Sequence, residues 1–238
     1  MIADFSLTLR FKGARTYVQG PDIHDEMCDA LIERGIVLEK VDLVCHRLIA
    51  TNVTAREIPA EESPAEGVHA VFRFNGRTIV LTENGEPITL REPYDEPALV
   101  AKMELDATAR RIAVDRSTGV PPVGPSGVSP DATGATPVGP TAETAVLRTF
   151  GSRDGCGTFS NAELVVALNK ELLTRCFPEA KGKWLFTRLQ LPQSFRKSQY
   201  ARIEVQFLGH SNFRITRSAL FGDGQPLGHL FFSLLPAV

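Results

Sequence analysis

The feature that most constrains this chain is a break. Between Arg116 and Thr141 the sequence is rich in Pro, Gly, Ser and Thr, and Thr118-Gly-Val-Pro-Pro-Val-Gly-Pro recurs as Thr133-Gly-Ala-Thr-Pro-Val-Gly-Pro. So little large apolar surface cannot offset the entropy of ordering, which predicts a flexible linker with polyproline character. The reading therefore divides the chain into an N-terminal unit, residues 1–115, a linker, 116–142, and a C-terminal unit, 143–238. With 238 residues the chain can bury one large core or two small ones.

The two units read alike. In the first, Phe5–Phe11 alternates as a half-buried strand does, and Tyr17-Val-Gln-Gly-Pro21 is a turn. A helix follows with Ile23, Met27 and Leu31 on one face, Asp22 as its N-cap and Gly35 at its end. Strand-like runs cover Val41–Asn52, Val68–Asn75, Arg77–Glu83 and Pro87–Glu92, with hairpin signals at Asn75-Gly76 and Asn84-Gly85. Leu99–Leu105 and Arg111–Val114 fit either a further hairpin or a short helix. In the second, a strand at Ala145–Phe150 leads to a Gly-rich turn and an amphipathic helix from Glu163 to Cys176. Strands then cover Trp184–Leu191, Ala201–Leu208, Phe213–Phe221 and Leu227–Leu235. Strand, turn, helix and antiparallel meander given twice predict a duplicated α+β unit, each helix covered by its own sheet. A single α+β domain carrying an insertion is the competing reading. Setting Gly157 over Gly20 places Asn161 over His24, both in a first helical turn.

Chemistry concentrates at Arg153-Asp-Gly-Cys-Gly-Thr-Phe-Ser-Asn-Ala-Glu-Leu164. A helix that starts after a Gly-containing turn leaves free N–H groups and a positive dipole end, suited to a carbonyl oxygen gaining negative charge. Asp154 on that turn could act as general base or nucleophile. The plainer reading makes Ser160 or Asn161 an N-cap and Asp154 a turn residue.

Asp154-x-x-Gly157-x-x-x-Asn161-Ala162 resembles the D-x-x-G-H-V-N-N-A signature of hot-dog acyl-CoA thioesterases of the 4-hydroxybenzoyl-CoA type. The run from Arg202 to Thr216 and the Asp223-Gly224 hairpin are similar to that family's paired strands. Thr158 stands where the family has His, Ser160 where it has the first Asn, and Leu164 where it has an aromatic. The resemblance implies a double hot-dog, with sites at the junction of two units. Asp154 would be nucleophile or general base there, the N–H of Gly157 or Thr158 would hold the thioester oxygen, and Asn161 would orient substrate or water. The facing turn of the first unit would contribute Tyr17, Gly20 and His24. Hot-dog dehydratases pair such a His with a carboxylate from the partner unit, a part open here to Asp154 or Glu163. The implied function is hydrolysis of acyl-CoA or acyl-carrier-protein thioesters. The alternatives are a 3-hydroxyacyl-thioester dehydratase and a non-catalytic acyl-binding or scaffold protein.

The remaining features exclude more than they assign. Net charge is −2, so no basic field points to nucleic acid. No apolar run approaches a membrane span, and the N-terminus lacks a signal-peptide layout. Cys28, Cys45, Cys156 and Cys176 form no CxxC, which suggests thiols in a reducing, cytoplasmic setting. His46, His69, His210 and His229 show no paired ligand spacing, so neither metal nor cofactor is expected. Arg188, Arg196 and Lys197 form a basic cluster open to CoA phosphates or an acidic carrier protein, or to solvent alone. A homo-oligomer is compatible with all of this.

Overall fold

The computed structural model describes residues 1–59, 61–95, 159–195, 200, 202–211 and 214–236, and the backbone of 103–106, 111–115 and 144–148. The Arg116–Thr141 linker, the turn with Asp154, Cys156, Gly157 and Thr158, and the pair Arg196 and Lys197 lie outside these residues.

The elements of the first part are β1 (Phe5–Leu7), β2 (Arg10–Lys12), α1 (Gly20–Ile32), β3 (Glu39–Cys45), β4 (Thr51–Ile58), β5 (Ala70–Phe74), β6 (Arg77–Pro87) and β7 (Leu90–Glu92). They continue with β8 (Met103–Asp106), β9 (Arg111–Asp115) and β10 (Thr144–Arg148). The rest is α2 (Asn161–Cys176), β11 (Gly182–Gln193), β12 (Arg202–Ser211), β13 (Ile215–Gly222) and β14 (Gln225–Pro236).

Twelve strands form one continuous sheet in the order β1-β4-β6-β5-β3-β11-β14-β13-β12-β9-β10-β8, antiparallel at every step but β9–β10. The seam between early and late segments is β3–β11, with Leu43 opposite Leu189 and Asp42 opposite Gln190. Arg188 clamps it, Nε and Nη2 each donating to an Asp42 carboxylate oxygen at 2.8 Å. Arg188 is therefore a seam residue; the other members of the basic cluster, Arg196 and Lys197, lie outside the described residues. The segments Leu99–Leu105 and Arg111–Val114 contribute strands, yet β8 and β9 do not pair as a hairpin, because β10 runs between them. Both lie on the C-terminal side of the seam although they precede the linker in sequence.

Each helix packs an apolar face against this sheet. α1 buries Ile23, Met27, Cys28 and Leu31, and α2 buries Leu164, Val165, Leu168, Leu172 and Leu173. These side chains belong to one apolar cluster running through both halves, save Leu164, which packs with Ala167 and Phe159. α2 begins with a capping box: Ser160 Oγ accepts from the Glu163 N–H and Glu163 Oε2 accepts from the Ser160 N–H. α1 is capped differently. Gln19 is its N-cap, Pro21 sits in the first turn, and Asp22 is inside the helix rather than at its cap.

The turn signals divide cleanly. Asn75-Gly76 and Asp223-Gly224 have positive φ at both residues and close the hairpins β5–β6 and β13–β14, as two-residue turns of this hand require. Asn84-Gly85 makes no hairpin. It lies within β6, where the pairing slips from Val53 opposite Glu83 to Thr51 opposite Pro87. The Asn84 side chain accepts from the Glu86 N–H, and Glu83 Oε1 accepts from the N–H groups of Ala50 and Thr51, so the irregularity is stabilised locally. The run Val41–Asn52 is likewise two strands, parted by an exposed loop, His46-Arg47-Leu48.

Candidate functional site

The first turns of the two helices meet over one buried lysine. β2, held by parallel pairing with β7, carries Lys12 inward. Its Nζ lies 2.6 Å from Asp22 Oδ1 and also donates to Glu163 Oε1. Asp22 and Glu163 hold equivalent places, third in α1 and third in α2, where a carboxylate favours the dipole. Burial works against the ammonium, but the two carboxylates outweigh it and raise the lysine's pKa. Burial also pushes Asp22 up to about 6 against the pull of Lys12. Asp22 Oδ2 finds no partner among the described residues.

This geometry reassigns several residues. Glu163, expected to bind substrate, is 3% exposed and has one oxygen on the helix cap and the other on Lys12. Asn161 is the first residue of α2, and its amide donates to the Phe195 carbonyl at 2.7 Å. His24 is the fifth residue of α1, so the equivalence with Asn161 fails by a turn; by helix start, Asn161 matches Gly20. His24 is fully enclosed. Its Nδ1 faces Asp25 Oδ1 at 2.8 Å and its Nε2 faces Cys28 Sγ at 3.6 Å. Burial opposes the charged ring, but Cys28 and Asp25 outweigh it and raise its pKa. Neither nitrogen is turned toward an opening.

Tyr17 and Gly20 do come together, in a cleft of about 340 Å³ at the seam. Val18 pairs with Ile49, bringing the Tyr17 segment beside the His46–Leu48 loop. α1 contributes its start, α2 contributes Val166, Ala167 and Lys170, and β11 and β14 form the floor. Trp184, Phe186 and Phe232 make that floor apolar, with Phe186 edge-on to Phe232 at 6.1 Å between centroids. Gly20 has a packing reason: a Cβ there would lie 2.0 Å from the Phe186 ring. The rim carries Arg15, Arg47, Lys170 and Lys183, and no Asp or Glu lines the cleft among the described residues. Lys183 Nζ donates to the Tyr17 hydroxyl oxygen at 2.6 Å, spanning the two halves. His46 stands at the mouth, on the exposed loop. Cys45 also lines the cleft, but burial pushes its thiol up to about 12, too high for a nucleophile near neutrality.

An apolar floor under a cationic rim suits an anionic amphiphile. Sequence reasoning reached Tyr17 and Gly20 through their turn, but not Arg15, Lys170, Lys183 or Phe186. These come from separate segments joined only by tertiary pairing, and no short motif links them. The other histidines are engaged elsewhere: His69 with Glu83 at 3.2 Å, His210 against Phe177, and His229 with Arg217. No group of three or more His, Cys, Asp or Glu suited to a metal occurs among the described residues. No described helix is long and apolar enough to cross a membrane.

No protein-family model matches the chain, and no curated protein does. Solved structures do. The dehydratase domain of PpsC from Mycobacterium tuberculosis, in complex with C12:1-CoA, is 10% identical at TM-score 0.45, over 98% of this chain and 92% of that one. A bifunctional dehydratase-cyclase domain from ambruticin biosynthesis is 12% identical at TM-score 0.42, over 92% of this chain and 83% of that one. A protein described as a candidate thioesterase from Novosphingobium aromaticivorans is 8% identical at TM-score 0.43, over 99% of this chain and 95% of that one. All three scores fall below one half, so the functional reading rests on the cleft.

Proposed function

We propose that this chain is a double hot-dog protein that takes acyl thioesters into the seam cleft and hydrolyses them. The observation that carries the reading is the cleft's polarity: aromatic side chains at the floor, cations at the rim and no carboxylate among its described lining residues. An acyl chain matches the floor, and the phosphates of its carrier match the rim. In the hydrolytic step Asp154 either takes a proton from a water whose oxygen adds to the carbonyl carbon, or itself adds there and is freed when water cleaves the resulting anhydride. The C–S bond breaks, the water's proton passes to the thiolate, and a carboxylic acid and a thiol leave. A backbone N–H of Gly157 or Thr158 holds the developing oxyanion; one such donor typically supplies about 3 kcal/mol. Thr158 cannot take up a proton near neutrality, so the proton chemistry rests on Asp154.

The test is thiol release from a panel of acyl-CoAs by wild type and Asp154→Asn. We expect the variant to lose activity by about 100-fold or more with folding unchanged. Activity that survives the substitution would remove Asp154 from the mechanism. A second reading, binding without turnover, draws support from the described lining itself, which offers no carboxylate and has His46 as its only imidazole. Saturable binding with no thiol release would favour it. The dehydratase reading needs His24 at the substrate, and the enclosure of that ring argues against it.

A further inference from the structure

We propose that the shallow bowl beside the seam cleft receives the 3′-phosphoadenosine diphosphate end of a coenzyme A thioester. The inference rests on the acyl-thioester reading above and extends it by choosing the carrier. The bowl, about 480 Å³, shares Arg15, Tyr17, Tyr94 and Lys183 with the cleft, so the two hollows are continuous. Two aromatic rings and two cations meet there. The Arg15 guanidinium lies 4.5 Å from the Tyr94 ring centre, and the Lys183 ammonium lies 4.7 Å from that of Tyr17. A purine needs a ring face to stack on, and a diphosphate needs cations beside it.

The remaining wall, Gly13, Ala14 and Thr16, is small and leaves room. It is also held in place. Arg91 Nη1 donates to the carbonyls of Gly13 and Arg15, and the Gly13 N–H donates to the Glu92 carbonyl at 2.9 Å. A loop already ordered before binding loses little entropy on accepting a ligand. Polarity then runs in one direction, from the apolar floor at Phe186 and Phe232 to the cations and tyrosines of the bowl. A carrier protein would bring the phosphopantetheine phosphate but no purine. Of the two carriers, only the nucleotide brings a ring that can stack beside the tyrosine pair.

The test is calorimetric titration with S-octyl-CoA, S-octyl-4′-phosphopantetheine and adenosine 3′,5′-bisphosphate, using wild type, Lys183→Ala and Lys183→Arg. Lys183 is exposed, so these variants keep the fold, and circular dichroism checks that they do. We expect S-octyl-CoA to bind about tenfold more tightly than the phosphopantetheine thioether, as a gained charge-assisted contact allows. The bisphosphate should compete with it. The difference should vanish in Lys183→Ala and persist in Lys183→Arg. Equal binding of the two thioethers, with none of the bisphosphate, would overturn the bowl and leave the acyl-thioester reading standing. Binding of the bisphosphate with neither thioether favoured over it would sustain the bowl and sink that reading. No binding by any probe would overturn both.

Discussion

Lys12 is one cation held between two carboxylates in a place with little water. Such a cluster contributes less by its own attraction than its loss would cost, because each remaining carboxylate would be buried without a counter-charge. Lys12→Met is therefore expected to lower the free energy of unfolding by about 3–5 kcal/mol, read by urea denaturation. A loss below about 1 kcal/mol would mean that water reaches Asp22 and Glu163. Asp22 also sets a pH dependence. Its folded pKa, about 6, stands above its ordinary value of 3.8 because of burial, with Lys12 pulling it down and Glu163 and Asp25 pushing it up. A raised carboxyl pKa gives stability that is fully present below pH 3.8 and is lost as pH rises through about 6. The shift corresponds to about 3 kcal/mol. Stability should thus fall between about pH 4 and 6.5 on this account, and Asp22→Asn should flatten that part of the profile. An unchanged slope in the variant would assign the pH dependence to another group.

At the scale of elements, the β11–β14 ladder sets the tightest tolerance. Gly228 has φ 141°, and a Cβ there would lie 1.9 Å from the Gln190 carbonyl oxygen, an atom of backbone that cannot turn aside. Gly228→Ala should cost about 2–3 kcal/mol, more than Gly224→Ala, whose added methyl meets nothing within 4 Å. Thermal melts of the two variants compare them directly, and equal losses would show that strain, not contact, decides both. Elements governed by local chemistry were legible in the sequence: the apolar face of α1, the Asn75-Gly76 turn, and the start of α2 to within the choice between Ser160 and Asn161 as its cap, which the capping box settles for Ser160. Those governed by partners were not. Asn84-Gly85 has hairpin composition, yet β4 holds the chain straight past it and turns the excess residues into a bulge. Asp22 has N-cap chemistry, yet the helix begins two residues earlier, with Gln19 as its cap and Pro21 in its first turn, and Asp22 pairs with Lys12 instead.

For the whole molecule, the β3–β11 seam, the Arg188–Asp42 clamp and the Lys12–Glu163 contact join early and late segments through hydrogen bonds, charge and a shared apolar cluster. Unfolding should therefore be a single event. The chain's one tryptophan, Trp184, lies on β11, so its fluorescence follows the seam while far-ultraviolet circular dichroism follows both helices and the sheet. The two urea curves should coincide. Two separated transitions would show that the halves fold as independent units. The same long-range joining explains what the sequence withheld of the site. The Tyr17–Gly20 turn could be named from its residues, but its partners on α2 and β11 lie more than a hundred residues away.

The seam has a further consequence. The walls of the cleft come from segments far apart in sequence but on one chain, tied by main-chain hydrogen bonds. A pocket shared between two separate subunits empties by mass action as the protein is diluted, because its halves part company. Here the local concentration of one wall at the other is fixed by covalent connection. Dilution alone therefore does not part these walls.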